Sequence, residues 1–288
     1  MKMIKPIVNI SKLMDAHDVF VCGLNGVIYD GINFKPEAIE ALLRLRKNGK
    51  QVVLLSNTPM RLAELADKMY AAEISPRLFN NIITMGEVLH FQLRAKSDKY
   101  AALGKVYYNL GDNSDSGVFE NLGYQSVENP TRADFLYIGH PASAEGISQD
   151  CVDILGHSAS LGIPMLCIGN DISAFLGGEI CTAAGAFAEQ YAILGGKIMT
   201  VGKPDKTMLQ YALEDYKAVE PQRILMIGDS MPVDIKAANN VGIASILVSK
   251  GIHVNYLGEG YIPDVTKTRE LATSCGAFPD YVISNLRW

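Results

Sequence analysis

The sequence predicts an α/β fold: a doubly wound parallel sheet with a second α/β domain inserted into it. Three observations carry that expectation. Short continuous apolar runs recur along the chain and end in glycine or small polar residues, as in the run from Val19 that ends at Gly26 and the run from Gln51 that ends in Ser56, Asn57 and Thr58; strands of parallel sheets, covered on both faces, read this way. Helical segments with one apolar face separate these runs. The middle third then carries its own set of strand-like runs before the first pattern resumes.

The first 17 residues read as a polar lead-in with an early turn at Pro6. The Val19 run continues through Cys22, Gly23 and Leu24 into a turn at Asn25–Gly26. Pro36 opens a helix, with Glu37 in its first turn, Arg44, Arg46 and Lys47 in its last, and Gly49 just past its end. Ile39, Leu42 and Leu43 are its expected apolar face. Gln51–Leu55 is a second buried strand, ending in Ser56, Asn57 and Thr58. Strand, helix, strand at this spacing is a right-handed parallel βαβ unit. A helix over about 61–72, a short strand at 82–84 and a helix from about 86 follow. Strands are then expected at 105–110, 134–138 and 164–168, inside a segment of residues 86–195 long enough to be a domain. The core resumes at 196 and runs to 288. Its elements are a strand at 198–202, a helix after Lys203–Pro204, a strand at 223–227, a helix stopped by Gly242, and strands at 244–248 and 281–284. Residues 1–85 and 196–288 thus form one discontinuous core, with 86–195 inserted.

Composition narrows the function classes. Hydrophobic residues make up 48% of the 288, against 20% charged, enough for a sizeable core. A net charge of −5 without a block of like charges argues against nucleic acid or an anionic membrane as the main partner. The five cysteines are dispersed and form no CxxC pair, which fits buried thiols in a reducing compartment and a cytoplasmic location. No apolar stretch approaches the roughly 18 residues of a membrane span.

Polar residues stand at four strand ends: Gly23/Asn25, Ser56–Thr58, Lys203, and Asp229/Asp234. A doubly wound sheet can bring such ends to one cleft. Their chemistry suits a phosphoryl group. Ser56 offers a hydroxyl, Lys203 a point charge, and Asp229 with Asp234 the one or two carboxylates that usually hold Mg²⁺. Each has a plainer reading too. Asp229 and Asp234 could cap and solvate a helix, Ser56 and Asn57 could cap the next helix, and Asp171 could satisfy its own loop. The histidines show no ligand spacing.

The order of these motifs resembles the haloacid dehalogenase superfamily of phosphohydrolases, and within it class IIA, the NagD-like and p-nitrophenyl-phosphatase-like enzymes. Leu54–Arg61 is similar to the family's second motif, Val201–Pro204 to the third and Ile227–Asp234 to the fourth. Cys167–Asp171 resembles the substrate-facing loop of the class IIA cap, with Asp171 kept. The resemblance implies a Rossmann-like core with an inserted α/β cap, Mg²⁺ as cofactor, phosphate binding by Ser56, Asn57 and Lys203, a metal on Asp229 and Asp234, specificity from Asp171, and cap-mediated homodimers. The departure lies in the first motif. Where the family has D-x-D-G-V, this chain has Gly23-Leu24-Asn25-Gly26-Val27. The resemblance assigns the first Asp as nucleophile and metal ligand, and the second as general acid/base. Gly23 has no side chain, and Asn25 has no titratable proton at neutral pH. Deamidation of Asn25 would restore an acid there, but nothing restores the nucleophile. The expectation is therefore a phosphatase-like protein with impaired chemistry. It keeps a pocket for phosphate or a small phosphorylated metabolite, and a weakened Mg²⁺ site, between core and cap. The alternatives are an active Mg²⁺-dependent phosphatase using another nucleophile, and a purely structural role.

Overall fold

The computed structural model describes residues 3–111, 117–140, 146–177 and 179–288. Among them, seven strands form the first sheet: β1 (Lys5–Pro6), β2 (Val19–Gly23), β3 (Gln51–Ser56), β4 (Asn81–Thr84), β12 (Ile224–Gly228), β13 (Ala244–Val248) and β14 (Tyr281–Ile283). All its pairs are parallel, in the order β1-β14-β13-β12-β2-β3-β4. The chain winds from β2 towards β4 on one side, then from β12 towards β14 on the other. The order therefore reverses at β2, and the crevice beyond its carboxyl end is where a ligand is expected. Gly23 pairs with Leu55 at that end.

The second sheet is also parallel, with β5 (Val106–Asn109), β6 (Gln125–Ser126), β7 (Phe135–Ile138), β8 (Met165–Ile168) and β11 (Ile198–Val201) in the order β11-β8-β7-β5-β6. A hairpin of β9 (Ser173–Leu176) and β10 (Glu179–Thr182) stands beside it. The helices are α1 (Pro36–Lys47), α2 (Leu62–Ala71), α3 (Met85–Arg94), α4 (Gln149–Ser160), α5 (Ala184–Ile193), α6 (Lys206–Ala212), α7 (Lys236–Val241), α8 (Val254–Leu257) and α9 (Val265–Cys275). None is long and apolar enough to cross a membrane.

The structure changes three expectations. The strand at 198–201 was expected to reopen the core, but it pairs with β8 at the edge of the second sheet. The chain returns to the first sheet only after Val201, because an apolar run of four residues does not say which sheet it joins. The lead-in is not merely polar: Ile4, Ile7, Ile10 and Leu13 are buried, and Lys5–Pro6 adds an edge strand to β14. Proline is tolerated at such an edge. In α1 the buried face is Ala38, Ala41, Leu42 and Leu45, while Leu43 points to solvent. That face is the i, i+3, i+4, i+7 stripe of a helix.

One apolar cluster joins the two sheets. Val19, Val21, Val53 and Met226 of the first sheet belong to it together with Phe135, Tyr137, Leu166 and Ile168 of the second, and Leu89, Leu93, Met208 and Leu209 of α3 and α6 lie in it as well.

Candidate active site

Four loops meet at the carboxyl end of β2. The first is the motif-one turn. Ile28 N and Tyr29 N donate to Leu24 O, and Gly26 N donates to Tyr29 O at 2.7 Å. Gly26 has φ +74°, a conformation glycine adopts without strain. Its missing side chain also matters. A Cβ there would fall 1.8 Å from Asp229 Oδ2, so the Asp229 carboxylate rests on the glycine. Gly23 is buried beneath this turn, and Asn25 is exposed at its tip.

The loop after β3 holds Ser56, which is buried and accepts from Thr58 N through its Oγ at 3.1 Å. The next residue, Asn57, is a clamp. Its Oδ1 accepts from Lys203 N at 2.8 Å, and its Nδ2 donates to Lys203 O at 3.1 Å and to Asp171 Oδ2 at 3.3 Å. Its side chain therefore ties the first-sheet loop to the chain leaving β11 and to the loop after β8. The same side chain also lines the cleft.

Lys203 is buried, and its Nζ lies 2.5 Å from Asp234 Oδ1. Asp234 Oδ2 accepts from Asp229 N and Ser230 N, both at 3.1 Å. Asp229 Oδ2 accepts from Ile252 N at 2.9 Å. His253 stands behind this turn, accepting from Met231 N at 3.0 Å. Asp171, Lys203, Asp229 and Asp234 crowd together out of water, and their acidities show it. Burial, then the charge of Asp234, pushes Asp229 up to about 7 and Asp171 up to about 6. Burial alone would lower Lys203, but Asp234, Asp171 and Asp229 outweigh it and hold the ammonium above its ordinary range.

The cleft so formed is lined by Asn25, Ser56, Asn57, Asp171, Lys203, Asp229 and Asp234, so six of the sequence-derived candidates and the altered motif-one position 25 come together. Gly23 lies below it. The cavity is about 120 Å³, small beside the ~300–1,000 Å³ of drug-sized sites, so it suits a phosphoryl group with little attached. His140 and Phe175 also line it; neither stood out in the sequence. Phe175 comes from the β9–β10 hairpin, whose short mixed strands gave no clear period. Lys35 is not itself part of that lining but stands beside two residues that are: its Nζ donates to Gly26 O at 2.6 Å and lies 5.5 Å from the Phe175 ring centre. Burial lowers its pKa, with the Asp229 charge the foremost opposing influence.

The donor set fits a tightly held Mg²⁺ poorly. The resemblance seen in the sequence implies Mg²⁺, an ion that demands near-octahedral oxygen ligands. Here Gly23 offers no oxygen and Asn25 only a neutral amide. Both oxygens of Asp234 are already engaged. Among the described residues no three His, Cys, Asp or Glu side chains converge as a metal centre.

Comparisons with known proteins agree with this architecture. Models of haloacid dehalogenase-like hydrolases match residues 20–125 and 121–242, and a HAD-hydrolase-like model matches 200–287. Chronophin of Mus musculus is 25% identical over 239 residues, covering 79% of each chain. A haloacid dehalogenase-like hydrolase from Brucella suis superposes with a TM-score of 0.80 at 24% identity, covering 96% of this chain and 98% of that one. NagD from Escherichia coli gives a TM-score of 0.60 at 20% identity, covering 94% and 97%.

Proposed function

Given that this chain belongs to the haloacid dehalogenase-like hydrolases, in the NagD-like class IIA, we propose that it binds phosphate or a small phosphorylated metabolite in the core–cap cleft with its hydrolytic chemistry impaired. One observation carries the reading: Ser56, Lys203, Asp229, Asp234 and Asp171 converge on a single small cleft whose motif-one end, at Gly23 and Asn25, carries no carboxylate. Lys203 supplies fixed positive charge and Ser56 a hydroxyl at the cleft wall. Asp171 reaches the cleft from the inserted domain and is the residue we assign to ligand selection. Asp229 and Asp234 are the only carboxylates this reading leaves to Mg²⁺, and with Asp234 engaged they would hold it weakly. The five free cysteines support the reading of a protein of a reducing, cytoplasmic setting.

Loss of a nucleophile costs several orders of magnitude in rate, and loss of a general acid/base a further ~10²–10⁴ where the effects separate. The test is hydrolysis of p-nitrophenyl phosphate with Mg²⁺ by this chain and by a Gly23→Asp/Asn25→Asp variant. Neither change meets a hard clash at its Cβ. A Cβ at position 23 would lie 3.3 Å from Ile227 O and 3.4 Å from Val27 Cγ2, which asks for shifts of tenths of an ångström, and Asn25 is exposed. We expect background turnover from this chain and clear turnover from the variant. Turnover by this chain well above background would overturn the reading and point to another nucleophile.

A further inference from the structure

The cleft has two carboxylates at its fourth-motif end, and only one has an evident counter-charge within the motifs. Asp234 pairs with Lys203 at 2.5 Å. Asp229 receives one amide, from Ile252. Its carboxylate rests on Gly26. Lys35 contacts that same glycine, its Nζ 2.6 Å from Gly26 O. Lys35 is half-buried, and its ammonium lies 5.5 Å from the ring centre of Phe175 on the β9–β10 hairpin. That hairpin is pinned to the motif-one loop, since Gly177 N donates to Asp30 O at 2.8 Å. The ammonium is thus held where the motif-one turn, Asp229 and the inserted domain meet.

Its place in the chain is a second, independent observation. Lys35 is the residue that caps the amino end of α1, and its side chain makes no capping bond there. A cation at a helix amino terminus opposes the helix dipole. Such a placement needs compensation from nearby negative charge; Asp229, which also touches Gly26, comes first, with Glu37 of the first turn and Asp30 behind it.

We propose that Lys35 is a second built-in cation of this cleft beside Lys203, supplying next to Asp229 the positive charge that a divalent ion would otherwise bring, so that a phosphoryl anion binds without metal. This rests on the reading of the cleft as a phosphoryl site. The chemistry is consistent with the donor set. An ammonium is a compact point charge with three donors and no demand for six oxygens. A site without the motif-one carboxylate has lost ligands for Mg²⁺, whereas an ammonium fixed by Gly26 O needs none of them. Charge-assisted bonds from such a group to phosphate are among the stronger polar contacts.

Calorimetric titration with inorganic phosphate tests the inference, on the full chain and on Lys35→Met, each in EDTA and in Mg²⁺. Met keeps the unbranched stem, and the backbone bonds of residue 35 do not depend on its side chain. We expect the wild type to bind phosphate equally with and without Mg²⁺, and Lys35→Met to bind about tenfold more weakly or worse in EDTA. Binding by the wild type only with Mg²⁺ overturns the inference and leaves the cleft reading standing. So does unchanged affinity in Lys35→Met. Absence of phosphate binding by the wild type under both conditions overturns the cleft reading and this inference together. Should Lys35→Met fail to fold, Lys35→Gln is titrated with phosphate in EDTA in its place: about tenfold weaker binding supports the inference, and unchanged affinity overturns it.

Discussion

At the scale of single residues, the fourth-motif turn concentrates the molecule's unusual acidities, and His253 offers the clearest reading of one. Its ring is half-buried behind the turn, and burial lowers its pKa from 6.5 to about 4. It accepts from Met231 N, a role that only the neutral ring fills. The unfolded chain takes up a proton near pH 6.5 that the folded chain refuses until about pH 4. Stability from this residue is therefore complete above pH 6.5 and is lost as pH falls from about 6.5 to about 4, to a limit of roughly 3 kcal/mol. The raised pKa values of Asp229 and Asp171 act with the opposite sign, since the folded state holds their protons more tightly. The informative quantity is thus a difference between variants. His253→Gln keeps an acceptor for Met231 N but does not titrate. Between pH 7 and pH 5 the melting temperature of wild type should fall relative to that of His253→Gln; parallel curves would show that His253 is not held neutral. In the sequence, Ser56, Lys203, Asp229 and Asp234 were legible because each follows a strand of the expected type. Lys35 was not, although a base beside Pro36 at a helix start is itself an electrostatic oddity.

At the scale of elements, the link between α2 and α3 shows how the second-motif loop is held. Arg61 Nε and Nη2 donate to the two carboxylate oxygens of Glu87 at 2.7 and 3.1 Å, and Leu62 N donates to Glu87 Oε2 at 2.9 Å. Arg61 Nη1 also reaches Gly117 O at 3.2 Å. One carboxylate in the first turn of α3 therefore fixes the start of α2 and, through Arg61, a segment of the inserted domain. The Arg61 bonds hold Glu87 below the usual carboxylate range. The stability of this link is then present above the ordinary glutamate pKa and lost as pH falls below it. Glu87→Gln keeps the shape and removes the charge, and should lower unfolding stability by about 1–3 kcal/mol at pH 7 in urea titration. A change under about 0.5 kcal/mol would class the pair with ordinary surface salt bridges. The sequence indicated α1 well, because proline, acids, bases and glycine stood at the right places. It concealed α9, which has an Asp264 cap bonding Thr266 N and Lys267 N and ends at Gly276, but buries only Thr268 and Ala272. With so thin an apolar stripe, the periodic signal fails even where both end signals are present. The β11 strand was visible as a strand but not as a member of the second sheet, since pairing partners lie far away in sequence.

At the scale of the whole molecule, the inserted segment is long enough to be a domain of its own, set into the first. Packing ties the two together. The cluster that contains Val19, Val21 and Val53 also contains Tyr107, Phe119, Phe135 and Tyr137, so separating the two sheets would expose apolar surface on both. At roughly 25 cal/mol per Å² that exposure opposes independent unfolding of either part. The Asn57 clamp adds polar links across the same seam. The chain carries probes that report on each side separately. Its single tryptophan, Trp288, packs against the first-sheet cluster that includes Phe20 and Leu42. Tyr107, Tyr124 and Tyr137 surround Phe119 and Phe135 in the inserted part. Urea unfolding followed by Trp288 fluorescence and by the tyrosine near-ultraviolet circular dichroism should give coincident transitions with one midpoint, the mark of a single cooperative unit. Separated midpoints would mean that the inserted part melts alone. The cleft, whose walls come from both parts, would then be assembled from two bodies rather than built into one.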